Sequence, residues 1–343
     1  MSVLAGIASP ITRRDLLRLA TAAAVMTGVA GSLWPAPAEA SAVMPLFRRC
    51  SFGAYTANAP YPTVAPHYAL EATVKARLGR MSWFQDMAVP WMERPGAQAA
   101  TSGHDVMIAW QPRDAGRPIG FREILAGRWD ARLATFFRRA AAHPGSVILR
   151  PFWEMNSNGG TYSMNYSGPD RQVHSCQQFI ATWRHLVRLQ RSVGGARVKW
   201  FFCANGSDVG RYPMEAYYPG SAFVDELGFD TYIDNWAPWT SFEHKIAPMY
   251  TRLSRLDARL PMTIGELGCK ESGAPARQSK ASWSEEMFLC TKFPQLHHVS
   301  FFNARQELDW RLNSSHATLA VYRHYLPKAR GGIPGLKLRH PPR

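Results

Sequence analysis

The stretch Val147-Ile148-Leu149-Arg150-Pro151-Phe152-Trp153-Glu154-Met155-Asn156 decides the fold. A short apolar run opening on β-branched residues reads as a buried strand, and this one ends on a carboxylate. A second run has the same form: Pro261-Met262-Thr263-Ile264-Gly265-Glu266-Leu267-Gly268. A charge at the tip of a hydrophobic strand is costly to desolvate, so each glutamate needs partners or a task.

Six further runs resemble these two: 50–55, 81–84, 106–110, 198–203, 226–230 and 299–303. Helical patterns lie between them at 130–142, 176–193 and 282–290. In the second of these, Phe179, Ile180, Trp183, Leu186, Val187 and Leu189 share one apolar face. Strands alternating with helices imply βα units and a parallel sheet. Eight strands close a ring, so the expected class is α/β, a single (β/α)8 TIM barrel. The chain of 343 residues holds one barrel of about 250 with trimmings. No internal repeat or low-complexity tract interrupts it.

In such a barrel the C-terminal strand tips form the active face. Two glutamates there meet the requirement of retaining glycoside hydrolysis, an acid/base and a nucleophile about 5 Å apart. For either glutamate alone, an ion-paired strand end explains the sequence equally well. Arg150 lies four residues before Glu154, so strict alternation puts both on one strand face. An arginine inside a barrel must pair with carboxylates. It either orients the catalytic pair or fills the barrel's lower polar layer, and a supporting role is expected.

Arg150-Pro151-Phe152-Trp153-Glu154-Met155-Asn156 resembles the acid/base motif of glycoside hydrolase family 26. Those enzymes are retaining β-mannanases, β-glucanases and relatives with (β/α)8 barrels. Further pieces follow in the family's order: Gly127 to Asp130, Trp183 to His185, Tyr217 to Gly220, Phe223 to Tyr232, Pro261 to Gly268, and Phe302-Asn303 with Asp309 to Leu312. The resemblance spans about residues 50–325. It implies that Glu154 is the acid/base, that Glu266 is the nucleophile, and that Tyr232 donates a hydrogen bond to the nucleophile. It implies no cofactor. The physics of the two roles agrees: the acid needs a raised pKa, which burial beside Phe152 and Trp153 supplies, and the nucleophile needs hydrogen-bond donors.

Three positions depart from the mannanase pattern. Trp153 stands where the family usually has His. The third-strand tip reads Trp110-Gln111-Pro112, closer to glucanase-like members. The loop Ser157 to Tyr162 carries few of the usual aromatics. Sugar selectivity rests on such subsites, so the expected substrate is β-glucan-, mannan- or exopolysaccharide-like. Sugars present apolar CH faces to aromatic walls. Trp110, Gln111, Trp153, Asn156, Tyr232, Trp236 and Phe302 are the candidate substrate-binding residues. Trp239 joins them, and it shares with Trp236 the loop of Asp234 and Asn235. Core packing is the competing explanation for any one of these aromatics. The competing function is a non-catalytic glycan-binding protein on a degenerate barrel.

The formal net charge is +15. Either an anionic polysaccharide or envelope surface is the partner, or the charge is scattered solubilising arginine, since no dense basic run occurs. No nucleic-acid signature accompanies it. Thr12-Arg13-Arg14-Asp15-Leu16-Leu17-Arg18 precedes an apolar stretch from Leu19 to Leu33 and small-residue sites at 38–42. Residues 1–42 therefore read as a twin-arginine export signal, with periplasmic or extracellular delivery and no anchor after cleavage. Residues 43–327 are the expected catalytic domain, a monomer, and 328–343 a basic flexible tail.

Five cysteines without a Cys-x-x-Cys are expected as buried free thiols, with a Cys269–Cys290 bridge the one pairing considered. The eleven histidines are scattered, and His297-His298 lacks further ligands at convincing spacing. No metal is expected. His-Glu-x-x-His, Gly-x-Ser-x-Gly, a P-loop and a dinucleotide fingerprint are all absent.

Overall fold

The computed structural model describes residues 44–61, 63–194 and 197–330. The expected export signal at residues 1–42, and the residues beyond Arg330, lie outside the described residues. Eight parallel strands close a barrel: β1 (Ser51–Thr56), β2 (Arg80–Asp86), β3 (Asp105–Gln111), β4 (Val147–Pro151), β5 (Val198–Asn205), β6 (Glu226–Ile233), β7 (Met262–Cys269) and β8 (Leu296–Asn303). Each pairs with its sequence neighbours, and β8 closes on β1. The eight expected runs are these eight strands.

Helices α1 (Ala65–Val74), α2 (Glu93–Thr101), α3 (Asp130–Ala141), α4 (Cys176–Ser192), α5 (Phe242–Leu256), α6 (Lys280–Leu289) and α7 (His316–Tyr325) surround the ring. Serine starts four of them. Ser175, Ser241, Ser279 and Ser315 each accept a hydrogen bond from a backbone N–H of the first turn, which satisfies a donor the helix cannot. After β5 the chain makes two 3-10 turns, Met214–Tyr217 and Ser221–Phe223, in place of an α-helix.

The apolar core lies between strands and helices, where Trp83, Trp110, Trp183, Trp200, Phe137 and Phe202 are fully buried. The lumen is more polar. Near the strand starts, both terminal nitrogens of Arg80 donate to Glu226 at 2.8 and 2.7 Å, and Thr263 donates to the same carboxylate at 2.8 Å. The lower polar layer is therefore built on Arg80, which leaves Arg150 to the upper end.

One expectation needs correction. Strand β4 ends at Pro151, so Glu154 is not part of it. Phe152 and Glu154 both adopt left-handed backbone, at φ 53° and 55°, which non-glycine residues rarely do. Strict alternation therefore does not relate Arg150 to Glu154. The turn carries Glu154 back over the barrel end, where its N–H donates to the Cys203 carbonyl at 2.9 Å. The thiols stand as expected, with Cys269 and Cys290 unbridged. All five cysteines are free thiols, and Cys50, Cys203 and Cys269 are buried.

Candidate active site

Strand periodicity positions most of the site. On β6, alternate residues Glu226, Gly228, Asp230 and Tyr232 face the lumen. On β4, Ile148 and Arg150 do. Strand β7 breaks the alternation. Its register to β6 runs Gly228 to Thr263 and Phe229 to Ile264, then jumps to Asp230 opposite Glu266. Gly265 is the extra residue of a β-bulge. Thr263 already faces the lumen, so without the bulge Glu266 would point outward into the helix layer. Gly265 has no substitute there. A methyl on its Cα would lie 2.5 Å from Asp230 Oδ1, 2.7 Å from Arg150 Nη1 and 2.9 Å from Cys203 Sγ.

Arg150 is the hub. Its Nη1 donates to both Asp230 oxygens at 2.6 and 2.7 Å, and its Nη2 pairs with Glu266 Oε1. The Cys203 thiol donates to Asp230 Oδ1 at 3.2 Å. All are buried, with Asp230 fully enclosed. Burial pushes the Asp230 carboxyl well up and Arg150 pulls it back. The short double contact is that of a charge-assisted pair. Tyr232 completes the shell, its hydroxyl donating to Glu266 Oε2 at 2.5 Å. Both Glu266 oxygens are thus held by donors.

Glu154 has the opposite surroundings. It sits part-exposed at the barrel mouth yet crowded by protein. Burial first, and the Glu266 charge second, push its carboxyl up to about 7, while Arg150 pulls the other way. No donor among the described residues satisfies it. The two carboxyl groups of one site therefore have contrasting surroundings: Glu154 is pushed up to about 7 without a donor, and Glu266 is held by Arg150 and Tyr232.

A chain of aromatic rings borders this pair. Trp153 meets Phe84 edge-on at 5.4 Å, Phe84 meets Tyr55 at 5.0 Å, and Tyr55 stacks on Phe302 at 4.8 Å. Phe302 meets Tyr232 at 5.9 Å, and Tyr232 rests on Trp310 at 5.0 Å. Tyr55, Phe84, Trp153 and Tyr232 remain part-exposed. Phe302 and Trp310, 4% and 2% exposed, lie beneath them as support. Arg150 also lies over the Trp153 ring at 5.6 Å.

The other expected wall residues divide. Gln111 ends β3 on the lumen side, in line with Met107 and Ala109, and is part-exposed. Its neighbour Trp110 therefore faces outward. Trp110 is fully buried against α3, stacked on Phe136 at 5.0 Å, and is a packing residue rather than a wall. Asn156 is also buried and has no amide to spare. Its Nδ2 donates to the Asn205 carbonyl (3.1 Å) and to Asp208 (2.8 Å), and its Oδ1 accepts from Asn205 N (2.7 Å). It ties two loops together. Trp236 stands 91% exposed in the loop after β6, a turn closed by Asp234 accepting from the Trp236 N–H. Trp239 packs against the core. The residues that went unrecognised in the sequence are Asp230, Cys203, Tyr55 and Phe84. Asp230 was legible in principle, since it precedes Tyr232 by two.

Comparison with known proteins fits this geometry. The sequence model of glycosyl hydrolase family 26 matches residues 132–264, a span that includes Glu154 and stops two residues short of Glu266. Endoglucanase H of Acetivibrio thermocellus is 30% identical over 254 residues, covering 71% of this chain. The match takes in 26% of that protein, so the chain spans about a quarter of its relative's length. Among solved structures, the catalytic domain of a Bacillus sp. JAMB-750 endo-β-1,4-mannanase of the same family superposes with a TM-score of 0.60 at 16% identity, covering 83% of this chain and 89% of that one. Bacillus subtilis mannanase BCman gives 0.57 at 16%, covering 81% and 86%. At such identities the likeness is one of fold.

Proposed function

The chain belongs to glycosyl hydrolase family 26, and from that premise we propose that it is an exported endo-β-glycanase that retains anomeric configuration. The observation that carries this reading is the divergence of two carboxyl groups in one site. Glu154 lacks donors and holds a proton to about pH 7. Glu266 is gripped by Arg150 and Tyr232. In the first step Glu266 attacks the anomeric carbon while Glu154 gives its proton to the leaving oxygen. In the second, Glu154 takes a proton from water, which displaces Glu266 from the sugar. Arg150 and Tyr232 hold the nucleophile in place, and the ring-lined mouth receives the sugar's CH faces. The resemblance to an endoglucanase favours a β-glucan over mannan, with an exopolysaccharide-like polymer as the remaining class. The basic surface suits an acidic one.

The roles are separable by experiment. Glu154→Ala should lose most activity on glycan yet keep glycosylation of an activated aryl glycoside, whose leaving group departs without protonation. Azide should rescue its turnover and give the β-glycosyl azide. Glu266→Ala should be nearly inactive on both substrates, with azide giving the α-product. The reverse pattern would exchange the roles. Wild-type rates in both variants would make this a glycan-binding protein. Export is tested by replacing Arg13 and Arg14 with lysine, which should trap precursor in the cytoplasm; unchanged secretion would refute it.

A further inference from the structure

At the opposite end of the barrel, three side chains that the sequence keeps apart converge. His67 and Glu71 stand one turn apart on α1, and His104 immediately precedes β3. Their exposures are 2%, 1% and 1%. One ligand atom from each lies within 4.8 Å of the others. His104 Nε2 is 2.7 Å and His67 Nε2 is 3.8 Å from Glu71 Oε1. The second distance is too long for a hydrogen bond.

Two buried polar atoms here have no hydrogen-bond partner: His67 Nε2 and Glu71 Oε2. Such orphans are costly, and each asks for an explanation. The ion-pair partners of Glu71 among the described residues are these two histidines alone, with no lysine or arginine. A carboxylate enclosed among imidazoles lacks a fixed positive charge.

We propose that His67, Glu71 and His104 supply three of the four ligands of a structural site for a divalent transition-metal cation of the zinc type. Two imidazole nitrogens and one carboxylate are a donor set that suits zinc and its neighbours rather than calcium or magnesium. Ligand atoms on a tetrahedral zinc are about 3.4 Å apart, from bonds of about 2.0–2.1 Å. The two histidine separations from Glu71 Oε1, 2.7 and 3.8 Å, bracket that value. The remaining ring nitrogen of His104 is already oriented. Nδ1 lies 2.8 Å from Ser102 Oγ, which in turn lies 2.9 Å from the Tyr68 hydroxyl. On metal binding the His104 proton moves from Nε2 to Nδ1, where Ser102 accepts it, and Nε2 is freed for the cation. Glu71 Oε1 already accepts the Leu78 N–H at 2.6 Å, so Oε2 is the oxygen left for the cation, which would give both orphan atoms a partner. It would also tie α1 to the start of β3, at the barrel end where residues serve stability rather than chemistry.

The test uses the mature chain, stripped with a chelator, dialysed and titrated with Zn²⁺ alone. We expect one equivalent bound per chain, a rise in Tm of about 5–10 °C at saturating metal, and unchanged glycan hydrolysis. Glu71→Gln and His104→Gln should each weaken binding by about a hundredfold or more. Because buried variants can fail to fold, Co²⁺ on the unaltered chain is the second measurement. A tetrahedral site of mixed nitrogen and oxygen ligands gives intense visible d–d bands. Failure to bind a full equivalent, weak octahedral Co²⁺ bands, or equal affinity in folded variants would each overturn the proposal and leave a hydrogen-bonded His–Glu–His cluster.

Discussion

Tyr232 and Glu266 are joined across neighbouring strands, the phenol hydroxyl of one donating to Oε2 of the other at 2.5 Å. Burial and the Glu266 charge push the Tyr232 hydroxyl well above its ordinary range, so it remains a donor at every working pH. Its ring is fixed by Phe302 and Trp310. Tyr232→Phe therefore removes one hydrogen bond and keeps the packing. We predict a fall in kcat of about 10²-fold with Tm changed by only a few degrees, measured by steady-state kinetics and calorimetry. An unaltered kcat would show that the bond does not matter to the reaction.

Gly265 is the position most sensitive to a single methyl. Alanine there would press on Asp230, Arg150 and Cys203 at once. All three are buried and bonded to one another, so none can yield cheaply. Gly265→Ala should lower stability by about 2–4 kcal/mol and activity by more than tenfold, because the bulge that aims Glu266 would be disturbed. Urea unfolding and glycan hydrolysis check both. A variant with native activity would mean that the bulge tolerates a side chain.

The barrel was legible in the sequence because its strands are short apolar runs of the right number, and hydrophobic periodicity survives whatever lies between. Glu154 and Glu266 were legible because a carboxylate closing such a run is physically conspicuous. How they reach the lumen was not. Glu154 arrives through two left-handed residues beyond the strand, and Glu266 through a bulge whose one trace in the sequence is Gly265. Trp110 was misplaced because an aromatic at a strand tip suits either face, and only the alternation with Gln111 separates them. His67 and Glu71 on α1 meet His104 from the start of β3, a separation that local spacing does not encode.

Trp153 and Trp110 offer a direct contrast. Trp153 is part-exposed at the mouth, beside Arg150 and Phe84. Trp110 is sealed under α3. Trp153→Ala should raise KM and lower kcat/KM on glycan by about tenfold, the scale of one lost stacking contact, with little loss of stability. Trp110→Ala should cost about 3–5 kcal/mol of stability and leave KM near that of the native protein wherever it remains folded. Thermal denaturation with Michaelis kinetics distinguishes them. A Trp110 variant with raised KM and intact stability would return Trp110 to the wall.

The raised Glu154 carboxyl makes two pH dependences that must agree. The acid step needs its proton, so kcat/KM on glycan should fall about tenfold per pH unit once pH passes about 7. On an activated aryl glycoside the limb should disappear from the glycosylation step. Stability carries the same signature. In the unfolded chain the carboxyl ionises near its ordinary 4.5, and in the folded protein near about 7. Between those values the folded state binds more protons, so wild-type stability falls as pH rises through this window and levels off above it. Glu154→Gln has no such proton. Its advantage in Tm over the native protein should be least below about pH 4.5, grow toward about pH 7, and stay constant beyond. A constant Tm difference across that window, together with an alkaline limb far above pH 7, would show that Glu154 ionises as an ordinary surface carboxylate and cannot serve as the acid.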